Sequence, residues 1–141
     1  MSAKTNTDTL VKLGDTDLQL ADPNEDVRGR KVVDRAGEDI GHVDALLVDQ
    51  RDNKVRFLRV AAGGFLGIGE RKFLIPVDAV TQVMPKEVRI DQTRQHLIGA
   101  PAYDPTLVYK QDYYNDVYGY YGYPPYWSPG YVYPPYPYYQ G

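Results

Sequence analysis

The chain has 141 residues, a formal net charge of −3 and no cysteine. This length suggests one domain with extensions. The absence of cysteine excludes disulfides, thiolate catalysis and cysteine-based metal sites. No apolar run is long enough to span a bilayer, and the first ten residues lack the apolar stretch of a secretion signal, so we expect a cytoplasmic protein.

Residues 1–26 are polar and acidic, and they read as an N-terminal arm. Its few apolar side chains are separated by Gly14 and Pro23, which disfavour one long regular element. We therefore interpret it as a mobile lead with one or two short apolar anchors. The apolar residues are Leu10, Val11, Leu13, Leu18 and Leu20.

Residues 27–90 contain about six short apolar runs that alternate with turn residues. The connections are too short for parallel crossovers, which favours antiparallel pairing. Short strands closely spaced by turns predict an all-β domain closed into a small barrel, because closure removes exposed sheet edges. The runs are VRGRKVVD, IGHVDALLVD, VRFLRVA, KFLIP, VDAVTQVM and EVRIDQ.

The segment after the last strand predicts one short helix within residues 91–102. Asp91 or Thr93 would cap its start and Gly99 would end it. Its apolar face would hold Leu97 and Ile98 against the barrel. The predicted organisation is an arm over 1–26, a barrel with its closing helix over 27–102, and an irregular tail over 103–141. We expect the barrel to fold without the tail.

Several features of the middle segment resemble one known family. They are Gly29, the D-x-x-G-x-x-I-G run from Asp34 to Gly41, Asp49, Arg56, and IPVDAV from Ile75 to Val80. As a set they resemble the PRC-barrel, the small β-barrel named for the photosynthetic reaction centre H subunit, over about residues 26–105. The resemblance implies a barrel of about six strands and a docking role, as in the reaction-centre subunit and a ribosome-maturation factor. Fold alone assigns no activity.

The titratable and glycine-rich motifs do not form a catalytic or metal set. His42 and Asp44 are two apart on one strand, but no serine or cysteine nucleophile is near them, so we interpret them as a solvent-facing pair. His96 adds no zinc site, because two isolated histidines are too few. The run GGFLGIGER lacks the lysine and hydroxyl of a phosphate-binding loop and reads as a flexible connection.

Two stretches of the barrel region predict contacts with other molecules. The strand segment Ala45–Val48 is apolar on both faces, so a second layer must cover one of them. Either the short helix or a second copy of the barrel could do so, and Leu46 and Val48 are our candidates for that interface. The glycine-rich connection carries three apolar residues that could dock on the tail, another subunit or a membrane surface: Phe65, Leu66 and Ile68.

The tail concentrates the aromatic residues. All fourteen tyrosines lie at or after Tyr103, and the one tryptophan is among them. Glycine and proline between the rings indicate neither helix nor strand. Three interpretations remain open: the tail becomes ordered on its own barrel or a neighbour, it is a disordered adhesive segment, or its PPYP step binds an aromatic-grooved domain. The candidate contact residues are Tyr120, Tyr121, Tyr126, Trp127, Tyr133 and Tyr136.

We therefore expect a non-enzymatic assembly or scaffold protein without metal or cofactor. The barrel would be the docking and oligomerisation module of a homo-oligomer, and the tail its adhesive element. The alternative is an adaptor that docks on a membrane-associated or RNA-associated complex, with peripheral membrane contact only. Direct nucleic-acid binding is disfavoured, because the aromatic segment carries Lys110 against three aspartates and lacks the basic groove that stacked bases require.

Overall fold

The computed structural model of the chain describes residues 10–15, 18–63, 70–108 and 110–139. Seven strands form one curled, half-barrel sheet. The strands are β1 (Leu10–Lys12), β2 (Lys31–Val33), β3 (Asp39–Asp49), β4 (Lys54–Ala62), β5 (Arg71–Pro76), β6 (Val80–Met84) and β7 (Glu87–Ile90). The helices are α1 (Arg94–Ile98) and α2 (Gln111–Tyr121), and short 3₁₀ turns span Pro23–Glu25 and Val77–Ala79.

The strand order is β5-β4-β3-β2-β7-β6, and β1 pairs with the far end of β3. The predicted small β-barrel is confirmed, and strands β2 to β7 are the six predicted runs. The additional strand β1 comes from the N-terminal arm. The described strands pair antiparallel except for β2 and β7, which run parallel. These two strands are far apart in sequence, so their pairing needs no short crossover.

The strand register separates an inner from an outer face. Leu46 pairs with Leu58, which pairs with Ile75, and all three are fully buried. Paired residues point to the same side of a sheet, so this row lines the inner face. The adjacent pair, Leu47 and Phe57, points to the outer face. Apolar residues on both sides of β3 therefore serve two separate packing layers.

The motif that carries the family resemblance shapes the turn between β2 and β3. The carboxylate of Asp34 accepts hydrogen bonds from the backbone N–H groups of Ala36 and Glu38, both at 2.9 Å. At Gly41 a Cβ atom would lie 2.0 Å from the carbonyl oxygen of Ala61. Only glycine fits this approach of β3 to β4.

Helix α1 is shorter than predicted, but its ends were foreseen. Thr93 is the N-cap, and its hydroxyl accepts a hydrogen bond from the backbone N–H of His96 at 3.0 Å. Gly99 follows the last turn. Leu97 is buried as predicted, whereas Ile98 is 49% exposed, so the prediction that both pack on the barrel is wrong for Ile98. In a helix, adjacent residues point about 100° apart, and so the two cannot share one narrow contact.

The prediction of an irregular tail is wrong for its first part. Residues 111–121 form the regular helix α2, although the segment contains Gly119 and five tyrosines. A glycine inside a helix costs about 1 kcal/mol relative to alanine. The apolar face compensates, because its members recur at helical spacing and are all buried. They are Tyr113, Tyr114, Val117, Tyr118 and Tyr121.

Candidate interaction site

Helix α2 covers the outer face of the sheet. The ring of Phe57 on β4 lies 5.3 Å from the Tyr114 ring and 5.1 Å from the Tyr118 ring, both tilted. Phe57 is fully buried, and both tyrosines are 1% exposed. The Tyr114 hydroxyl donates to the carbonyl of Val108 at 2.7 Å. Helix α2 is therefore part of the hydrophobic core and supplies the second layer that β3 requires.

Gly122 ends α2 and starts a second, non-helical segment. It adopts the left-handed conformation at φ 82°, and its N–H bonds to the carbonyl of Tyr118 at 2.9 Å. Residues 123–139, which we call the strap, then cross the barrel without forming a strand. Their backbone forms local turns, since the N–H groups of Ser128, Tyr131 and Tyr138 bond to carbonyls three residues earlier.

Tyrosine hydroxyls fasten the strap to carboxylates of the barrel. Tyr131 donates to Asp78 at 2.8 Å, and Tyr138 donates to Asp22 at 2.6 Å. Tyr123 donates to Asp91. Hydrogen bonds to a charged acceptor are about twice as strong as neutral ones. The strap is therefore held at several separate points by the same interaction, a hydrogen bond from a tyrosine hydroxyl to a carboxylate.

Glu25 is the most buried of these anchors. Its side chain belongs to the 3₁₀ turn before β2, and the residue is 2% exposed. One carboxylate oxygen accepts from the Tyr133 hydroxyl at 2.8 Å and from the Val55 N–H at 3.2 Å. The Tyr136 hydroxyl donates to the carbonyl of the same residue, Glu25. The strap thus completes the hydrogen bonding of a carboxylate that water barely reaches.

Arg56 supplies the positive charge beneath the strap. Between the pairs Leu47–Phe57 and Val48–Val55 the β4 strand has one extra residue, Arg56, so this is a β-bulge. A bulge interrupts the alternation of the strand, which allows Arg56 to reach the strap side like its neighbour Phe57. The guanidinium group lies 4.5 Å from the centre of the Tyr126 ring.

Two carboxylates fix the orientation of Arg56. Its Nη2 atom lies 3.4 Å from Asp49 and 2.9 Å from Asp52. The arginine and Asp49 are 5% and 2% exposed. A buried arginine is stable only when its charge is balanced, and the carboxylates together with the Tyr126 ring meet that need. These are the Asp49 and Arg56 of the family resemblance, for which the sequence suggested no role.

The strap changes the acid–base properties of both sides of the contact. Burial raises the pKa of Tyr126 and Tyr136 well above the ordinary value of 10.0. Burial, together with the negative charge of Glu25, raises the pKa of Tyr133. Burial also raises the pKa of Asp78 above 3.8, although the Tyr131 hydroxyl works against it. The tyrosines remain neutral donors at neutral pH, which keeps these bonds intact.

The residues predicted for a subunit interface have different positions in the single chain. Leu46 and Val48 are fully buried, and Leu46 lies on the inner face, so neither side chain is available to a second copy. The apolar outer face of β3 is covered by α2 and not by the short helix. Phe65, Leu66 and Ile68 lie outside the described residues.

The candidate tail residues are brought together on the chain's own barrel. Tyr121 is 5% exposed and belongs to the core face of α2. Tyr120 stacks on His96 with ring centres 4.2 Å apart, which fastens α2 to α1. Trp127 contacts Tyr118 edge-on at 5.9 Å. Tyr126, Tyr133 and Tyr136 contact the barrel at Arg56 and Glu25, as described above.

His42 and Asp44, which we interpreted as a solvent-facing pair, have different surroundings. His42 is exposed, whereas the Asp44 carboxylate is bonded to Arg59 at 2.8 Å and to Lys72 at 2.9 Å. Burial raises the pKa of Asp44, but the bonds to Arg59 and Lys72 have the larger combined effect, so the pKa lies below its ordinary value. Asp44 thus acts as a cross-strand ion-pair partner.

A cleft between β1 and residues 103–108 is the other notable concavity. Its volume is about 380 Å³. Leu10, Leu47, Tyr114 and Arg59 are among the residues that line it. The Arg59 charge is already paired with Asp44, and its guanidinium group lies 5.0 Å from the Tyr103 ring centre. The charge inside the cleft therefore serves the fold.

The described part of the chain has neither a metal-binding cluster nor a membrane-spanning helix. Over residues 10–15, 18–63, 70–108 and 110–139, no group of three or more histidine, aspartate or glutamate side chains is arranged to hold a metal ion. None of the helices within those ranges has the length and apolar character needed to cross a bilayer.

Comparison with known proteins agrees with the fold. The family model described as PRC-barrel domain matches residues 23–97, from the 3₁₀ turn that carries Glu25 to the last turn of α1. None of the curated proteins matches the chain. The matched range includes Asp34, Gly41, Asp49 and Arg56, and it ends before α2 and the strap. The barrel of this chain therefore belongs to the PRC-barrel domain family.

Proposed function

We propose that this chain is a non-enzymatic assembly module that forms homo-oligomers, with the barrel as its rigid core and the tyrosine-rich tail as its contact surface. Domains of the PRC-barrel family are generally non-catalytic. The buried charged groups described above are paired within the fold, as structural ion pairs are. Its work is to present a surface to other proteins.

The uncharged outer surface of the strap is the observation that carries this proposal. A quarter of the residues in the chain are charged, yet no charged residue follows Asp116. Val132 is 81% exposed and Tyr138 is 61% exposed. Exposed apolar patches on otherwise polar proteins mark interaction sites. Tyrosine and proline suit such a surface, because they contribute contact area at little conformational cost.

The strap is also held rigidly enough to act as a surface. Its inner side is fastened at Glu25, Asp78 and Asp91 by tyrosine hydroxyls, and the exposed Tyr138 adds a bond to Asp22. A partner that binds the outer side therefore does not have to order the segment first, which lowers the entropic cost of association.

A charge placed on this surface tests the proposal. The mass of the full chain is measured by light scattering over a wide range of concentration, beside the variant Val132→Asp. We expect the parent to self-associate and the variant to do so at least tenfold more weakly. The matched control is Gln95→Asp, which adds the same charge at an exposed site on α1. A parent that stays monomeric throughout, or equal weakening by both variants, rejects the proposal.

A further inference from the structure

The barrel surface beneath the strap has the chemistry of a peptide-binding site. It presents Glu25, Asp78 and Asp91 as hydrogen-bond acceptors, and it includes the Arg56 guanidinium. A suitable occupant must carry neutral hydroxyl donors and aromatic rings, and it must carry no negative charge of its own. We call this surface the strap surface.

The strap meets these requirements through its side chains. Tyr131 and Tyr133 donate to carboxylates, and the Tyr126 ring packs on Arg56. Six of the seventeen strap residues are proline, which has no N–H to satisfy. Proline also restricts the backbone whether or not the strap is bound, so the strap has little conformational freedom to lose when it moves from one surface to another. The strap can therefore leave the barrel without breaking a β-ladder.

The boundary between α2 and the strap is suited to such a movement. Helix α2 remains with its own barrel because Tyr114 and Tyr118 are buried against Phe57. The strap begins immediately after Gly122, whose left-handed conformation already turns the chain. Seventeen extended residues span up to about 55–60 Å, which is enough to reach an adjacent copy.

We propose that the strap surface of one copy binds the strap of a second copy, so that two chains assemble by reciprocal strap exchange. This inference rests on the proposed function and names the partner. Charge selects that partner: the strap is neutral, so two straps do not repel each other, and it carries the tyrosines that the carboxylates accept. When two copies exchange their straps, each strap surface is filled by the partner's strap and the pair has two-fold symmetry, so the assembly stops at a dimer.

The single tryptophan allows a direct test. The host is the full chain with Trp127→Phe and with Tyr126, Tyr133 and Tyr136 changed to serine, so that its own strap no longer competes. The ligand is a synthetic peptide of residues 123–141, whose Trp127 is then the only tryptophan in solution. Its fluorescence anisotropy is followed as the host is added. We expect saturable binding with a dissociation constant below about 1 mM, the order of effective concentration that a short tether gives.

Two altered peptides test the chemistry. A peptide with Tyr133→Phe loses the donor to Glu25 and to the Val55 carbonyl, and we expect it to bind roughly tenfold more weakly or worse. A peptide with Val132→Thr changes the adjacent, exposed residue and should bind like the parent. If the parent peptide shows no saturable binding, or if the Tyr133→Phe peptide binds equally well, strap exchange is wrong.

A second host variant and a comparison with the self-association experiment complete the test. If circular dichroism shows that the multiple-substitution host does not unfold cooperatively, the host becomes the chain with Trp127→Phe and Tyr133→Phe alone, and the same expectations hold. A full chain that self-associates in a Val132-dependent way while the peptide fails to bind rejects strap exchange and leaves the proposed function standing. Peptide binding together with self-association that does not depend on Val132 supports strap exchange and rejects the outer surface as the contact, whereas a full chain that stays monomeric rejects both proposals.

Discussion

Alkaline titration tests whether the tyrosines are ordered on the barrel. Burial raises the pKa of Tyr118 and Tyr121 far above 10.0, and the same holds for Tyr126 and Tyr136. In the unfolded chain these groups ionise near pH 10. A group whose pKa is raised by folding contributes stability that is complete below the unfolded pKa and is lost as the pH rises further.

The size of the effect follows from linkage. At pH 11 each tyrosine that stays protonated when folded and ionises near pH 10 when unfolded costs about 1.4 kcal/mol of stability. Four of the tyrosines that are at most 8% exposed have a pKa raised well above 10.0: Tyr118, Tyr121, Tyr126 and Tyr136. Together they cost roughly 6 kcal/mol, which is comparable to the whole stability of a small domain. We therefore expect cooperative unfolding close to pH 11.

The assay records tyrosinate absorbance at 295 nm, Trp127 fluorescence and far-ultraviolet circular dichroism against pH. The expected result is a step in absorbance that coincides with loss of structure. The double variant Tyr118→Phe, Tyr121→Phe should unfold at a higher pH, because two ionisations, roughly 3 kcal/mol at pH 11, are removed. A smooth titration of all tyrosines near pH 10 with the barrel intact would refute the ordered tail.

Three further predictions concern stability. A chain that ends at Gly122 should retain cooperative thermal unfolding, whereas a chain that ends at Pro105 should be unfolded or nearly so, because losing each buried α2 tyrosine costs about 3–5 kcal/mol. The packing of α2 on Phe57 thus leads us to predict the opposite of our expectation of a tail-independent barrel, and equal melting temperatures of the two chains would contradict this prediction. Tyr114→Phe should lower the free energy of unfolding in urea by about 0.5–1.5 kcal/mol, because it loses the hydrogen bond to Val108. Tyr118→Phe should be neutral or stabilising, because the Tyr118 hydroxyl has no hydrogen-bond partner among the described residues. Similar losses in both variants would contradict these assigned hydrogen bonds. Asp78→Asn should be more stable than the parent at pH 7, because burial raises the pKa of Asp78 and the ionised form is penalised on folding. The difference in stability should shrink as the pH is lowered and the parent carboxylate takes up a proton. A difference that is independent of pH would show that ionisation is not the cause.

The barrel could be predicted from sequence because its signals are local. Short apolar runs, turn glycines and the Asp34–Gly41 motif specify strands and turns over a few residues, and they predicted β2 to β7. Strand β1 was missed because three residues, Leu10–Lys12, carry too little periodicity. It forms only because β3 extends beyond β2 and offers a free edge.

Helix α2 and the strap could not be predicted because their causes are tertiary. Tyr113, Tyr114, Val117, Tyr118 and Tyr121 do recur at helical spacing, which is the signal that the abundance of tyrosine, glycine and proline obscured. The role of Arg56 was hidden because a β-bulge shifts the strand alternation. Glu25, Asp78 and Asp91 are ordinary acidic residues until the strap places hydroxyls against them.

The distribution of tyrosine along the chain has a physical explanation in these contacts. The inner face of the sheet is lined by aliphatic residues and Phe73, where a hydroxyl would be buried without a partner and would cost free energy. The surface that the tail covers is mixed, with Phe57 on the outer face of β4 and with Arg56 and several carboxylates beside it. Phenylalanine or leucine would bury the apolar part but leave the carboxylates desolvated and unpaired. A lysine would bring a charge that must itself be desolvated. Tyrosine is the neutral side chain that both buries a large ring and donates a strong hydrogen bond, so a tail that must seal a charged and apolar surface together is built mainly from tyrosine.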